Sequence, residues 1–259
     1  MSIPELSVVL PCYNEAGNIE GLLERYRSVA RKVALELVCV DNGSTDDTPA
    51  ILARELAKPE NGFARGVRVE NNMGYGHGIQ IGLESARAPV TAYSHADLQC
   101  PPGDVLTALE LFRRHSEEGP CLIKGRRKGK RAFLDQCVTW VYNGLAAFVL
   151  GLRAVPADRP AVAVRDVDIN AEPKLFDRTL ITDLGCGPKD FTYDLFTLYR
   201  AKRRGMRIIE FEVSYEARKW GKSKLAANPW IRLKTSVNAF AKIFMMRAGR
   251  YGPPKGEHA

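Results

Sequence analysis

The side chains best suited to chemistry are an imidazole, a carboxylate and an amide in one short loop: His95, Asp97 and Gln99. The apolar segment at residues 90–94, which we predict to be a strand, leads into this loop. In an α/β protein, the carboxyl end of a strand is where a metal ion and a nucleotide diphosphate are commonly held. Asp97 and Gln99 stand two positions apart and can direct two oxygen ligands at one cation. The loop therefore predicts a divalent-cation site, with Mg²⁺ or Mn²⁺ expected because the ligands are hard oxygens.

Three further predicted strands place polar loops beside this one. Apolar segments at 6–10, 35–40 and 66–70 are each followed by a polar or glycine-rich turn and then by a segment with helical periodicity. Strands that alternate with helices predict a parallel sheet whose loops share its carboxyl edge. One such loop serves only to turn the chain as often as it binds a ligand, but several at the same edge favour a nucleotide-binding unit.

Two segments are strongly cationic. Residues 124–131 contain six Lys or Arg among eight, and residues 218–224 (RKWGKSK) are a second basic loop. A solvated loop is the usual fate of such a run, whereas a flexible, glycine-containing segment can also form an anion site. Between the two, we predict an apolar helix at 133–152, a linker at 153–160, and a strand at 207–213 with one buried and one polar face.

Composition limits the protein's class and its partners. The chain has 259 residues, 45% of them hydrophobic, and a formal net charge of +8, which indicates a globular protein with anionic partners. The six cysteines form no CxxC pair, and the amino terminus shows no secretory signal, so we expect free thiols and a cytoplasmic protein. The longest apolar stretch, 137–151, is shorter than the roughly 20 residues that span a bilayer. No nucleic-acid-binding module is recognisable.

The carboxyl-terminal region predicts an amphipathic helix. Leu233, Val237, Phe240 and Phe244 recur at three- and four-residue intervals from Trp230 onward. Such a helix packs on the protein's own core or lies on an anionic membrane surface, and the pattern slightly favours the first.

Four motifs in order resemble the family 2 glycosyltransferases, and within them the dolichol-phosphate mannose synthase-like, polyprenyl-phosphate branch. They are residues 8–15 (VVLPCYNE), 40–46 (VDNGSTD), 95–99 (HADLQ) and 218–225 (RKWGKSKL). The resemblance extends over about residues 6 to 225. It implies an α/β, Rossmann-like nucleotide-diphospho-sugar transferase (GT-A) fold with a mostly parallel central sheet and carboxyl-terminal amphipathic helices.

The resemblance also implies a domain organisation. Residues 1–225 correspond to the catalytic domain, with a nucleotide-binding half at 1–102 and an acceptor half at 103–225, followed by an amphipathic helix and tail at 226–259. The nucleotide diphosphate sugar is expected to contact a set of residues that matches the motifs: Pro11, Tyr13, Glu15, Asp41, His95, Asp97, Arg218, Ser223 and Lys224.

On the acceptor side, the resemblance implies a polyprenyl phosphate or another membrane-linked acceptor. A phosphate monoester is already ionised near neutral pH, so it needs cations to position it rather than a strong base. The expected phosphate contacts are basic residues: Arg126, Arg127, Arg131 and Lys174. Together with Asp97 and Arg127, the expected catalytic residues include Asn170 and also Asp168, which contacts a sugar hydroxyl or acts as the base for a hydroxyl acceptor.

The chain departs from the family pattern at two acidic positions. His95 stands where the family has its first Asp, and Asn42 stands where a second Asp is usual. A neutral imidazole can ligate a metal but does not supply the missing negative charge, so the metal requirement is open at this position.

Several activities fit these residues. The leading hypothesis is an inverting glycosyltransferase that moves a sugar from a nucleotide diphosphate to a polyprenyl phosphate at the cytoplasmic membrane face. One alternative uses a glycan hydroxyl in cell-surface polysaccharide synthesis, and another is a catalytically impaired glycosyltransferase-like binding module. A dinucleotide oxidoreductase is disfavoured because the glycines at 74–78 do not have GxGxxG spacing.

Overall fold

The computed structural model describes residues 3–128, 133–158, 167–216 and 229–251. Four residues predicted to contact substrate lie outside these ranges: Arg131, Arg218, Ser223 and Lys224.

A mixed but mostly parallel sheet forms the centre of the molecule. Within the described ranges it has eight strands: β1 (Leu6–Cys12), β2 (Leu35–Asn42), β3 (Ala64–Val69), β4 (Val90–Tyr93), β5 (Cys121–Lys128), β6 (Ala154–Pro156), β7 (Lys174–Asp177) and β8 (Arg207–Ser214). Their order is β3-β2-β1-β4-β7-β5-β8-β6. Of these eight described strands, only β7 runs antiparallel to its neighbours, β4 and β5, so most of them have their carboxyl ends at one edge.

Helices cover both faces of this sheet. They are α1 (Ile19–Ala30), α2 (Thr48–Leu56), α3 (Tyr75–Ser85), α4 (Gly103–Ser116), α5 (Phe133–Leu150), α6 (Tyr193–Arg203) and α7 (Pro229–Arg247). Successive residues of a strand point to opposite faces, and β1 follows this rule: Val8 and Leu10 pack with α1 and α4, whereas Val9 packs with α3. The predicted fold class is confirmed.

Three local predictions need correction. β5 continues to Lys128, so residues 124–128 are a strand rather than a flexible loop. β8 does not have a uniformly polar face, because Glu210 is buried against Lys124 while Glu212 is exposed. The predicted linker at 153–160 contains the short strand β6. In each case the sheet neighbour supplies a partner that the local sequence does not reveal.

The helix α7 has a buried and an exposed face. Ile243 and Met246 are buried in the same core as α5, and Phe240 meets Tyr142 edge-to-face with ring centroids 5.7 Å apart. Val237 and Phe244 are more than half exposed on the other side. No helix in the described ranges combines the length and the apolarity needed to cross a bilayer.

Candidate active site

The loops after β1, β2 and β4 (residues 13–18, 43–47 and 94–101) meet at the carboxyl edge of the sheet. We call this region the donor edge, because the sequence motifs predict the sugar donor there. The first two loops are joined by hydrogen bonds. The Asn14 N–H donates to Ser44 Oγ (3.1 Å), the Thr45 N–H donates to Asn14 Oδ1 (2.9 Å), and the Glu15 N–H donates to Thr48 Oγ1 (2.9 Å). Asn14 adopts a left-handed conformation (φ 57°) that this residue tolerates. The donor edge is therefore built by polar side chains that bind backbone groups.

Asp41 and Asn42 end β2 and are almost fully buried. Asp41 Oδ1 accepts from the Ser44 N–H (3.0 Å), while its other oxygen lies 3.5 Å from the exposed guanidinium of Arg68. Asn42 Nδ2 donates to the carbonyl of Gly74 (2.9 Å) and so fixes the start of α3. A carboxylate has no proton to donate to a carbonyl, so the Asn at this position has a structural reason that is independent of metal charge.

The loop after β4 contains the predicted cation ligands. Asp97 is 6% exposed, and its Oδ1 accepts from the Gln99 N–H (3.2 Å) across Leu98, which has a positive φ of 62°. Gln99 is in turn joined to the segment after β8, because its Nε2 donates to the Glu216 carbonyl (3.2 Å) and its own carbonyl accepts from the Glu216 N–H (2.9 Å). These bonds connect the loop after β4 to the segment that follows β8.

The side-chain oxygens of this loop suit Mg²⁺ or Mn²⁺ only when a substrate supplies further ligands. The described residues contain no cluster of three His, Cys, Asp or Glu side chains that could hold a metal ion. One carboxylate and one amide oxygen, Asp97 and Gln99, are too few for a cage made by protein alone, but Mg²⁺ is commonly held by one or two carboxylates together with substrate phosphates. These residues therefore fit a cation that arrives with a diphosphate.

His95 lies in an aromatic setting beside this loop. Its ring centroid is 5.7 Å from that of Tyr75 and 6.5 Å from that of Tyr215, and Tyr75 stacks in turn on Phe191 at 5.1 Å. Burial lowers the pKa of His95, against the opposing charges of Asp97 and Asp194. The imidazole is thus neutral near pH 7 and adds no negative charge to a metal site.

A buried polar cluster lies behind His95. Lys174 is fully buried, and its Nζ donates to Glu172 Oε1 (2.7 Å), Asp194 Oδ1 (2.9 Å) and the Ala171 carbonyl (3.3 Å). Burial alone would lower the pKa of Lys174, but Asp194 and Glu172 raise it. The Tyr93 hydroxyl also donates to Asp194 (3.1 Å). Because an ammonium has three protons, the geometry places Lys174 within this cluster rather than toward an acceptor phosphate.

The carboxyl ends of β5 and β8, with residues 167–173, form a second region. We call it the acceptor edge, because the sequence predicts the acceptor contacts there. Its basic strand is paired with carboxylates: Lys124 and Arg126 with Glu210 (2.8 and 3.4 Å), and Lys128 with Glu212 (2.7 Å). The six cations seen in the sequence therefore attract anions less strongly than their number implies, because four of them share three carboxylates: Glu210, Glu212 and Asp168.

Arg127 and Asp168 form a bidentate pair at this edge. Arg127 Nε and Nη2 donate to the two Asp168 oxygens (2.9 and 2.5 Å), and the Arg127 N–H adds a third bond (3.1 Å). The guanidinium also lies over the Tyr215 ring at 5.6 Å. Burial alone would raise the pKa of Asp168, but Arg127 and the charge of Lys124 hold it well below its ordinary value. Asp168 is therefore a weak base, and it orients Arg127.

Asn170 follows Asp168 by two residues, and its Oδ1 is buried and without a hydrogen-bond partner among the described residues. Glu172 Oε2 and the Tyr75 hydroxyl are unpartnered in the same way. An unsatisfied buried polar atom costs free energy unless a ligand or water meets it, which makes these three atoms candidates for substrate contact.

Several site residues escaped the sequence analysis: Tyr75, Glu172, Phe191, Asp194 and Tyr215. The glycines beside Tyr75 were a usable signal. A Cβ at Gly74 would lie 2.3 Å from the Lys189 carbonyl, and one at Gly76 would lie 2.4 Å from the Pro188 carbonyl. These glycines allow α3 to pack against residues 188–190 and so bring Tyr75 to Phe191, which explains why they lack dinucleotide-binding spacing.

Comparison with known proteins agrees with this geometry. The family model described as Glycosyl transferase family 2 matches residues 7–140. An uncharacterized glycosyltransferase of Mycobacterium bovis is 31% identical over 224 residues, which cover 86% of this chain and 90% of that protein. A dodecaprenyl-phosphate galacturonate synthase of Rhizobium johnstonii is 33% identical over 154 residues, 58% of this chain and 44% of that protein.

A solved structure confirms the fold. Glucosyl-3-phosphoglycerate synthase from Mycobacterium tuberculosis superposes with a TM-score of 0.66 over 98% of this chain and 82% of that chain, at 21% identity. The sheet order, the donor-edge loops and the family match lead to one conclusion: the chain is a glycosyltransferase and belongs to glycosyl transferase family 2.

Proposed function

We propose that this enzyme is an inverting glycosyltransferase that moves a sugar from a nucleotide diphosphate to a polyprenyl phosphate at the cytoplasmic face of a membrane. The observation that carries the proposal is the exposed apolar surface of α5, the helix that follows the acceptor edge in the chain. Strand β5 places Arg127 at the edge, and α5 begins at Phe133, a few residues further along the chain. A lipid phosphate bound near Arg127 would thus have an apolar helix beside it.

The apolar surface consists of one face of α5 and one face of α7. On α5, Trp140, Val141 and Phe148 are 71%, 51% and 75% exposed, and on α7 Val237 and Phe244 are 58% and 54% exposed. Exposed apolar side chains in this number on two packed helices are typical of a surface that lies in the interface of a bilayer. We infer that the enzyme is peripheral to the membrane and reaches its acceptor there.

At the donor edge, the nucleotide lies over the loops that end β1 and β2, with Pro11, Tyr13, Glu15 and Asp41 as its contacts. Asp97 and Gln99 would hold a divalent cation that arrives with the diphosphate, and such a cation would offset the negative charge that develops on the leaving group. Arg218, Ser223 and Lys224 complete the diphosphate contacts in this proposal.

The chemistry requires no strong base from the protein. An acceptor phosphate oxygen attacks C1 of the sugar from the face opposite the diphosphate, the new C1–O bond forms as the bond to the diphosphate breaks, and the nucleoside diphosphate leaves. The acceptor is already ionised at neutral pH. The depressed pKa of Asp168 and its pairing with Arg127 agree with this role, since a hydroxyl acceptor would need a better proton acceptor than this carboxylate.

Arg126 and Arg127 are the described candidates for the acceptor phosphate, with Arg131 as a third from the sequence. Arg127 keeps part of its guanidinium for a ligand, since the planar group carries five N–H donors and two of them bind Asp168. Asn170 Oδ1 is the nearby unpartnered atom and would meet the sugar or the acceptor. Lys174 supports the site from behind.

The test is transfer in a defined system. Purified protein, a panel of GDP-, UDP- and dTDP-sugars, Mn²⁺ or Mg²⁺, and a short-chain polyprenyl phosphate should yield a lipid-linked product with one donor class. The matching polyprenyl alcohol should give none. Asp97→Asn should lower the rate by about 100- to 1000-fold, the usual effect of removing one group that stabilises transition-state charge. Glu117→Gln, at an exposed position after α4, is the matched control.

Two results would contradict the proposal. Transfer to a glycan or to the alcohol, without transfer to the phosphate, would favour the hydroxyl-acceptor alternative. Absence of transfer and of donor hydrolysis with every donor would favour the binding-module alternative.

A further inference from the structure

Four basic side chains gather away from the active site, at the carboxyl ends of three helices. Arg153 follows α5, Lys202 and Arg203 lie in the last turn of α6, and Arg247 ends α7. They are close enough to affect one another: partial burial and then the charges of Arg247, Arg203 and Arg153 lower the pKa of Lys202. We call these four residues the basic corner.

The basic corner is not neutralised by the protein. Within the part of the chain that the structure describes, Arg153, Arg203 and Arg247 pair with no carboxylate, and Lys202 donates to the Leu150 carbonyl (2.6 Å) rather than to an acid. The acceptor edge shows the opposite arrangement, with Lys124, Arg127 and Lys128 each bound to an acid. Unpaired like charges repel one another, so this arrangement costs free energy in the free protein.

Among the described residues, only one of these four cations bonds a carbonyl at a helix end. A positive charge at a helix carboxyl end is favourable, and Lys202 serves α5 in this way through the Leu150 carbonyl. Gly151 leaves room for it, because a Cβ there would lie 2.6 Å from Lys202 Nζ. Arg203 and Arg247 also lie in the last turns of their helices, which favours their charge, but within the described ranges the three arginines make no such bond. An anion from outside the chain would offset the mutual repulsion of these cations.

The basic corner borders the apolar surface of α5 and α7. Phe148 lies two residues before the end of α5, and Phe244 lies three residues before the end of α7. Both are more than half exposed. A cationic group at the rim of an exposed apolar helix face matches the two layers of an anionic bilayer, which presents phosphates above acyl chains.

We propose that the basic corner is a binding site for the phosphate headgroups of anionic lipids, and that it orients the apolar faces of α5 and α7 on the bilayer. This proposal rests on the proposed function for the membrane location. It adds a second partner, the anionic lipids of the bilayer, which are distinct from the lipid acceptor. Each arginine near an anionic surface strengthens binding by about fivefold. Three of them together should contribute on the order of 100-fold.

Vesicle flotation with the full chain tests this proposal. Wild-type protein should bind vesicles of phosphatidylglycerol and phosphatidylcholine far better than vesicles of phosphatidylcholine alone. The variant Arg153→Gln/Arg203→Gln/Arg247→Gln should lose most of this preference, by roughly 100-fold in partition coefficient. A matched control removes the same charge from exposed, unpaired positions elsewhere: Arg31→Gln/Lys32→Gln/Arg178→Gln. Unchanged binding of the first variant, or an equal loss in both, would overturn the proposal.

Two further measurements separate the alternatives. Inorganic phosphate should raise the melting temperature no more than chloride at equal ionic strength; a phosphate-specific shift that the variant loses, with vesicle binding intact, would assign the corner to a free phosphate instead. Transfer to a short-chain acceptor without vesicles should be the same in the variant and the wild type. If the variant loses binding to anionic vesicles as expected but neither protein transfers a sugar, the proposed function is contradicted and the lipid site is still supported.

Discussion

The donor edge and the acceptor edge of this glycosyltransferase are held together by different kinds of contact. Along the donor edge, the side chains of Asn14 and of Asp41, at the end of β2, accept hydrogen bonds from backbone N–H groups of the loop after β2. At the acceptor edge and in the buried cluster around Lys174, charged side chains bind one another in places with little exposure, as in the pairs Lys124–Glu210 and Lys174–Asp194. The contacts at the donor edge fix the conformation of the loops, whereas those at the acceptor edge neutralise charges that are shielded from water. The two edges should therefore respond differently to the loss of a single partner.

The largest effect should come from Lys174→Met. This change leaves Glu172 and Asp194 buried without their shared cation, and breaking a buried ion pair typically costs about 3–5 kcal/mol. Urea unfolding measures the loss of stability. The control is Arg68→Gln at the donor edge, where the guanidinium is 62% exposed and 3.5 Å from Asp41, and where a loss of at most about 1 kcal/mol is expected.

Equal costs for these two variants would remove the contrast between the edges. If Lys174→Met does not fold, the triple variant Lys174→Met/Glu172→Gln/Asp194→Asn decides the matter. Replacing every charge of a buried cluster is far less costly than removing one, so the triple variant should regain folding. Failure of both variants would mean that packing around Lys174, rather than its charge, holds the cluster.

A smaller effect is expected for Asn42→Asp, which restores the acid that the family usually has. The new carboxylate would face the Gly74 carbonyl without a proton to donate. The Asn42 side chain also packs closely on Gly78, where an added Cβ would lie 3.0 Å from it. Leaving a buried group unsatisfied in this way costs about 1–3 kcal/mol. Thermal or urea unfolding checks the value, with Asn71→Asp at an exposed position as the charge-matched control.

Stability equal to the wild type, together with tighter Mn²⁺-dependent donor binding, would show instead that Asn42 faces the metal. In that outcome the donor edge would depend on charge in the same way as the acceptor edge.

The sequence predicted which loops share the donor edge, but not which side chains pair at the acceptor edge, and the reason is physical. Loops after parallel strands reach the same edge of the sheet, so the loops after β1, β2 and β4 could be grouped from strand positions alone. Ion pairs across the sheet depend on which strands become neighbours. Glu210 lies 84 or 86 residues from its partners Arg126 and Lys124, and no local pattern announces that β5 and β8 pair in this register.

The same limit explains the misreading of the basic segment. A run of cations with a glycine predicts a solvated loop because unpaired charges favour water. The structure makes residues 124–128 a strand, since Glu210 and Glu212 lie opposite on β8 and offset those charges. Gly125 is needed for a different purpose: a Cβ there would lie 2.3 Å from the Glu172 carbonyl. The glycine permits close packing rather than flexibility.

The finest test of the comparison is Arg127→Lys. Lysine keeps the positive charge beside Asp168 but loses the bidentate geometry and the planar contact with Tyr215. If the acceptor edge works by holding a guanidinium in a fixed orientation, the KM for polyprenyl phosphate should rise roughly tenfold while the KM for the donor stays the same, because one charge-assisted hydrogen bond is lost or misdirected. Steady-state kinetics with each substrate varied in turn would separate the two.

Lys128→Arg provides the matched control, since that side chain is 72% exposed and makes a single contact with Glu212. This exchange between lysine and arginine, in the reverse direction, should leave both KM values unaltered. A rise in the donor KM with Arg127→Lys would place this guanidinium at the diphosphate instead. In that case the carboxylate of Asp168 would orient a donor contact, and Arg127 would belong to the donor edge rather than to the acceptor edge.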